Sequence, residues 1–523
     1  MPEHLRALAV ILCIAGLVFW LAERPLVACG MAPEDFKRRR NLWFGVTLAA
    51  FLAHNFWLYA LLVAALVATY GLRDRNPVAL YVVLLFTVPP FGIQIPGFGL
   101  INYVFDLDHI RLLNLTLLLV ALVRFPPEPN RLAGLAGTGA AGKLLLGYLG
   151  LLVTMTMILN SFTGTMRTTF LLAIDIWVPF YVGYHTLRSP AALRDVAAAF
   201  MLAGALLSAI ALFEFGKSWL LYSSLEQALG VPWSMGNYLA RGEGGALRAM
   251  ASTGHSIVLG YVIVVALACA IMLAPQITSR WLRWSLFALL FAGLVVSLSR
   301  GPWVGAAMML LVALGIGPGA VIRLLKGGGV LAAVVGLLLV SPWGERVIDY
   351  LPFVGTVDAG SVDYRTRLVE VSMSVLAGSP FFGAWDYMLN PAMEEMRQGE
   401  GIIDMVNTYL GVAMSTGVIG LSLFAGVFVA AAWATYKAWR AAKADAEWER
   451  FGRCLLAALA GAAVTIATVS SINAVPTVYW LLAGVMLAYA RMPALEAATS
   501  DARASKQARS SRLPSRGQSR SFA

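Results

Sequence analysis

The chain has 523 residues, of which 59% are apolar and only 13% charged, with a formal net charge of +11. A soluble domain carries about 25% charged residues, so this composition excludes an ordinary water-soluble enzyme, a disordered chain and a disulfide scaffold. The basic residues fall in short clusters between apolar stretches, which is the pattern of a polytopic membrane protein and not of a nucleic-acid binder.

The first apolar run follows Arg6 and ends at Ala22. No A-x-A site follows it, and Glu23-Arg24-Pro25 closes it, so it reads as a retained span and not a cleaved signal. Cys13, Cys29, Cys269 and Cys454 show no metal-ligand spacing and read as small core residues. A span needs about 20 mostly apolar residues. Candidates fall at 5–22, 77–91, 110–124, 143–160, 169–187, 193–215, 255–274, 282–298, 303–320, 329–343, 408–436, 454–472 and 476–491. Residues 42–71 are interrupted by His54-Asn55 and count as one tilted or broken span, with two short half-spans as the alternative. The expected fold is all-α, a polytopic helical bundle of about 14 transmembrane helices, within a range of roughly 12–14.

Lysine and arginine set the orientation. The segment 437–453 and the tail beyond Met492 are both basic and belong on the cytoplasmic side. Counting passes backwards puts Arg323/Lys326, Arg280/Arg283, Arg188/Arg194, Arg124/Arg131/Lys143 and Arg73/Arg75 on that side too. The cluster Lys37-Arg38-Arg39-Arg40 disagrees if 42–71 passes once. The expected organisation is a transmembrane region at 1–343 with an external loop at about 216–254, then a large external loop at 344–407. That loop is expected to hold helices at about 363–378 and 391–398. Transmembrane helices follow at 408–492, and a disordered basic tail at 493–523. Long ordered loops on one side of a bundle usually carry function.

No P-loop, dinucleotide fingerprint, HExxH or GxSxG is present, which excludes an ATP-driven exporter. Asp175 stands nearly alone in mid-span, a candidate functional acid or a helix–helix partner, and Glu214 lies near the outer end of its span. Two external arginines are more informative. Arg248 sits just ahead of a span, and Arg300 occupies a very tight turn between two apolar helices. A pair of guanidiniums there suits a pyrophosphate, which accepts bidentate hydrogen bonds. Arg167, Arg365 and Arg367 are further candidates, although Arg365 and Arg367 point apart on a helix, so one of them at most faces the site. Trp233, Trp303 and Trp385 are placed to stack on sugars or to sit at the interface.

The run Ser297–Gly305 (SLSRGPWVG) resembles the Ser-Arg-Gly-x-Trp turn of the O-antigen ligase and Wzy-type polysaccharide polymerase family. Arg248–Gly260 (RAMASTGHSIVLG) resembles that family's Arg…Gly-x-x-His-Pro stretch, with Ser256 in place of proline. Asp363–Gly383 is similar to its Arg…Pro-Leu-Phe-Gly segment, and Asn407–Leu421 to its His-Asn-x-Tyr-Leu…Gly-Leu element. The four matches lie in order across about 245–425. The residue before Asn407 is Val406, where ligases of the family usually carry histidine, and this tilts the resemblance toward the polymerase branch.

The resemblance implies a membrane-embedded glycosyltransferase in the bacterial inner membrane with its active site facing the periplasm. Its donor would be a glycan on undecaprenyl pyrophosphate. Its acceptor would be another lipid-linked repeat (polymerase) or lipid A core (ligase); a polysaccharide-related transporter is the remaining alternative. Arg248 and Arg300 would clamp the leaving pyrophosphate, with Arg365 or Arg367 as a third member. His255, Asp404 and Glu400 are base candidates. Asn407 and Tyr409 hold a sugar or cap and anchor the following span. Neither a cofactor nor a metal is expected. Membrane lipids and a chain-length regulator are the other expected partners, and nucleic acid is not one.

Overall fold

The computed structural model describes residues 2–97, 99, 102–125, 135–231, 246–317, 319–340, 359–397, 403–441 and 445–511. The candidates Glu400 and Trp233, and Arg131, lie outside them. The structure is 79% helical, an all-α polytopic membrane fold. In chain order the helices begin with α1 (Glu3–Ala28), α2 (Pro33–Leu52), α3 (Phe56–Thr69) and α4 (Pro77–Leu85). An antiparallel hairpin, β1 (Gly92–Pro96) and β2 (Tyr103–Asp108), follows where the sequence suggested only an external loop. Next come α5 (His109–Leu113), α6 (Leu119–Arg124), α7 (Gly139–Leu159), α8 (Phe162–Leu172), α9 (Val178–Thr186), α10 (Pro190–Lys217) and α11 (Leu225–Leu229). After these run α12 (Ser256–Leu273), α13 (Arg280–Val296), α14 (Arg300–Gly315) and α15 (Ala320–Val340). The loop helices α16 (Ala359–Gly378) and α17 (Pro391–Glu394) precede α18 (Thr408–Ala441), α19 (Ala446–Ile466) and α20 (Val475–Ser511).

Seven helical segments among the described residues are long and apolar enough to cross a membrane: Glu3–Ala28, Phe56–Arg73, Gly139–Leu159, Pro190–Lys217, Ser256–Gln276, Thr408–Ala441 and Val475–Pro493. Large apolar side chains such as Trp281 (85% exposed) and Trp20 (72%) face outward, as expected where lipid and not water covers the surface. α10 and α12 are buried almost all round and form the centre of the bundle.

Ion pairs tie the helix ends into two opposed faces. On one, Arg39 is fully buried and bonds Asp74 and Asp195 in bidentate fashion at 2.6–2.9 Å. Arg194 pairs with Glu447 at 3.3 Å, and Arg491 donates to the carbonyls of Tyr184 and His185 at 2.7 and 3.0 Å. Burying three charges has a desolvation cost of several kcal/mol per ion, offset here by four hydrogen bonds. On the other face, Trp219 Nε1 donates to Glu3 Oε1 at 3.0 Å, and His4 packs edge-on against His54.

This arrangement corrects the expectation for 42–71. Arg39 holds the start of α2 against the end of α3, so the two helices form a hairpin that leaves the basic face and returns to it. The break is local: Asn55 Oδ1 accepts the amides of Trp57 and Leu58 and caps α3, while His54 takes φ 51°. The Lys37–Arg40 cluster therefore joins the other basic clusters on one face. The tail, expected to lose structure at 493, continues the helix of α20 to Ser511. Its Ala, Glu, Lys and Arg content explains this, because these are the strongest helix formers. The 391–398 helix is shorter than expected, ending at Glu394.

The loop helix α16 has its own small core. Leu368, Met393, Met396, Met405 and Met414 pack together and seat the loop on the first turns of α18.

Candidate active site

The site is built from helix ends on the face opposite the basic clusters. α12 starts at Ser256, capped by His255, whose Nδ1 accepts the Ile257 amide at 3.2 Å. α14 starts at Arg300, after a turn in which Leu298 takes φ 45°. The two starts touch: the Ser299 and Ser256 hydroxyls lie 3.3 Å apart. Close packing behind them is enforced by glycine. A Cβ on Gly260 would fall 2.6 Å from the Pro302 Cβ, and one on Gly301 or Gly305 would collide with Thr468 or Thr465 of the α19 end. Both arginine-bearing motifs thus contain glycines that allow α12, α14 and α19 to meet.

Arg248 joins this junction by donating Nη2 to the Ser299 hydroxyl at 3.1 Å. Its segment is fixed from several sides. The fully buried carboxylate of Glu214 accepts the amides of Leu221, Met250 and Ala251 at 2.8–3.0 Å. The Ala249 amide donates to the Val296 carbonyl at 3.2 Å, and Asn473 Nδ2 donates to the Thr253 carbonyl at 3.1 Å. Glu214 is therefore an anchor for the arginine segment. The sequence signalled it as a membrane acid, but its three backbone partners are unreadable without the fold.

The electrostatics suit an anion. Helix N-termini carry about half a positive charge and bind phosphate groups. Two of them meet here, with one guanidinium at the first position of α14 and another bonded to its cap residue. Burial and the neighbouring Arg248 push the His255 imidazole down to about 4, so it is neutral near pH 7. With Nδ1 accepting a backbone amide, the neutral ring carries its hydrogen on Nε2 and is a donor there.

The remaining candidates divide. Asp404 Oδ1 accepts from Ser470 Oγ at 2.9 Å, and its backbone is held by Tyr364. Asn407 Oδ1 accepts the Leu410 amide at 3.2 Å and caps α18. It also lines a cavity of about 480 Å³ beneath the loop. Tyr409 donates to the Ala463 carbonyl at 3.0 Å, tying α18 to α19. Val406 packs against the loop's own core. Arg367 pairs with Glu395 at 2.8 Å on the exposed side of α16, while Arg365 is half-buried. Arg167 stacks over the Tyr103 ring and donates to the Tyr103 and Val104 carbonyls, where it fastens the β hairpin. The fold thus brings together Arg248, Arg300 and His255. Asp404 and Asn407 are linked to that group through Ser470 and Asn473 of one short segment.

Residues 285–425, from α13 into α18, match the family model described as O-antigen ligase. The match at this segment supports the resemblance to the O-antigen ligase/Wzy superfamily. That family implies a glycosyltransferase-like enzyme and suggests lipid-linked glycan substrates, and the apolar helices fit a multi-pass membrane protein. The matched segment includes Arg300, Arg365, Arg367, Asp404, Asn407 and Tyr409, but not Arg248 or His255. No curated protein matches the chain.

Proposed function

We propose that this protein polymerises undecaprenyl-pyrophosphate-linked oligosaccharide repeats at the periplasmic face of the bacterial inner membrane. The observation that carries the proposal is the pair Arg248–Arg300 at the meeting point of two helix N-termini. A sugar hydroxyl on the acceptor repeat attacks the anomeric carbon of the donor glycan. The anomeric C–O bond to phosphate breaks, its electron pair goes to the pyrophosphate, and the hydroxyl proton passes to Asp404. Arg248, Arg300 and Arg365 hold the developing pyrophosphate charge, the kind of preorganised electrostatic stabilisation that dominates many transfer reactions. Val406, in the place where ligases of the family usually carry histidine, favours a lipid-linked repeat over lipid A core as acceptor.

The test is glycan length on a gel in a deletion strain complemented with wild type or Arg300→Ala at matched expression. Single lipid-carried repeats in the deletion, and no return of long chains with Arg300→Ala, support polymerisation. Long chains that remain on the lipid carrier and never reach lipid A core would replace it with the ligase. Normal glycans in both strains would overturn glycosyl transfer.

A further inference from the structure

The cavity beneath the loop is lined by Asp175, whose ion pair with Arg111 the arginine junction does not use. Arg111 Nε and Nη2 each lie 3.0 Å from Asp175 Oδ2, and the Asp175 carboxylate lines the cavity with its side chain 28% exposed. Arg111 is fixed from behind, because its Nη1 donates to the Asp106 carbonyl at 2.7 Å and its amide to Asp108 Oδ1 at 2.8 Å. The two residues belong to helices that are both interrupted by π turns. These lie at Asn114–Leu118 and Ala173–Trp177, and Asn114 Nδ2 joins them by donating to the Ile174 carbonyl at 3.2 Å. π turns occur mostly as single bulges inside α-helices and are frequent at functional sites. A largely buried ion pair adds little to stability over apolar packing of the same volume, so two π turns built around one point to a ligand.

The chemistry of the cavity identifies the ligand class. Asn407, Ser470 and Ser471 give it a hydroxyl and amide rim, and Tyr148, Tyr479 and Trp480 give it an aromatic wall. Its volume of about 480 Å³ is that of a small-molecule site. A carboxylate accepts hydrogen bonds from two neighbouring hydroxyls of one sugar ring, and an aromatic face covers the ring's C–H side. A lipid tail would need neither the rim nor the carboxylate. The segment from Ser470 to Asn473 runs from this rim to the Thr253 carbonyl beside Arg248. A donor whose pyrophosphate sits at the arginines therefore has a sugar-lined space next to it.

We infer that Asp175, oriented by Arg111, is a saccharide-recognition residue of this cavity and binds the ring hydroxyls of the lipid-linked glycan. The inference rests on the glycosyl-transfer reading above. Its test uses purified full-length protein in detergent and two probes: the lipid-linked repeat that accumulates in the deletion strain, and bare undecaprenyl pyrophosphate. Tryptophan fluorescence reports binding. Asp175→Asn is expected to weaken the repeat by about tenfold or more and to leave the bare lipid unchanged, whereas Arg300→Ala weakens both. Equal affinity of Asp175→Asn and wild type for the repeat would overturn the inference while leaving the transfer reading intact. If Asp175→Asn lowers the melting temperature or loses both probes, Asp175→Glu decides. It keeps the charge but moves the carboxylate by one methylene, and selective loss of the repeat supports the inference, while unchanged binding overturns it. Failure of wild type to bind either probe would sink the transfer reading and this inference together.

Discussion

Gly383 in the loop meets Gly417 inside α18, and the two positive-φ glycines lock the loop to the bundle. Gly417 breaks the helix with φ 67° and ψ −169°, a region open to glycine alone. Into this break the loop inserts a short stretch of backbone. The Ala384 amide donates to the Met414 carbonyl at 2.7 Å, and the Val418 amide donates to the Pro380 carbonyl at 2.9 Å. A Cβ on Gly417 would collide with the Phe381 carbonyl, and one on Gly383 with the Met414 carbonyl. Two sequence segments, one ending in Pro-Phe-Phe-Gly at Gly383 and the other running from Asn407, are thus halves of one joint.

Gly417→Ala is expected to undock the loop. This backbone conformation alone costs about 1–3 kcal/mol for a non-glycine residue, and the lost backbone bonds add to it. Limited proteolysis should cut the variant near residues 380–397 faster than wild type, and long-chain glycan should fall. Gly378→Ala is the control, since a Cβ there meets nothing within 4 Å. Equal proteolysis of Gly417→Ala and wild type would refute the joint.

Arg300→Lys tests whether the clamp needs a guanidinium or only a charge. Lysine is a point charge without the planar fork that bonds two phosphate oxygens. The variant is expected to lose about 10²-fold in transfer, close to the loss of a preorganised transition-state donor. Ser299→Ala frees Arg248 from its 3.1 Å acceptor and is expected to show a smaller fall of about tenfold or less. Rates of repeat addition on purified lipid-linked substrate decide both. Full activity of Arg300→Lys would reduce the clamp to a simple positive field.

The sequence made the bundle, its basic face and the arginine pair legible because each rests on local signals: apolar run length, lysine and arginine clusters, and arginines in short turns. The α2–α3 hairpin was harder. Its proof is the buried Arg39 between Asp74 and Asp195, residues 35 and 156 positions away, and no local pattern reports such pairs. The anchoring role of Glu214 and the pairing of Arg111 escaped for the same reason, since their partners are distant backbone amides and a distant acid. Arg167 failed differently. Its guanidinium is spent on the hairpin strand β2, which charge pattern could not foresee. The β hairpin was missed because the stretch between the candidate spans 77–91 and 110–124 reads as a loop, and Gly92–Pro96 is only a short strand.

Arg365 and Arg367 are expected to separate cleanly by mutation. Arg367 and Glu395 are each about 60% exposed, and such exposed pairs contribute about 0–1 kcal/mol. Arg367→Ala should therefore leave chain length and melting temperature near wild type. Arg365→Ala should shorten the glycan, since Arg365 is the half-buried member of the pair and the proposed third arginine of the clamp. Comparable chain-length loss in both variants would assign the effect to the fold of α16 instead.

His255 distinguishes a cap from a base through its pH dependence. Its folded pKa is depressed from 6.5 to about 4 by burial and by Arg248. Below pH 6.5 the unfolded chain takes up a proton that the folded protein resists. Stability from this residue is therefore complete above pH 6.5 and is lost as pH falls toward 4. Asparagine is a good N-cap but does not titrate, so His255→Asn should keep most of the activity and reduce the loss of melting temperature between about pH 7 and pH 5. Alanine cannot accept the Ile257 amide, and His255→Ala should lose about 1 kcal/mol above pH 6.5, a difference that shrinks as pH falls toward 4. Because the ring stays neutral down to about pH 4, the transfer rate should show no His255 limb between about pH 5.5 and 8. A rate limb in that range that vanishes in His255→Asn, together with a large loss of turnover, would make His255 the proton acceptor and displace Asp404 from that role.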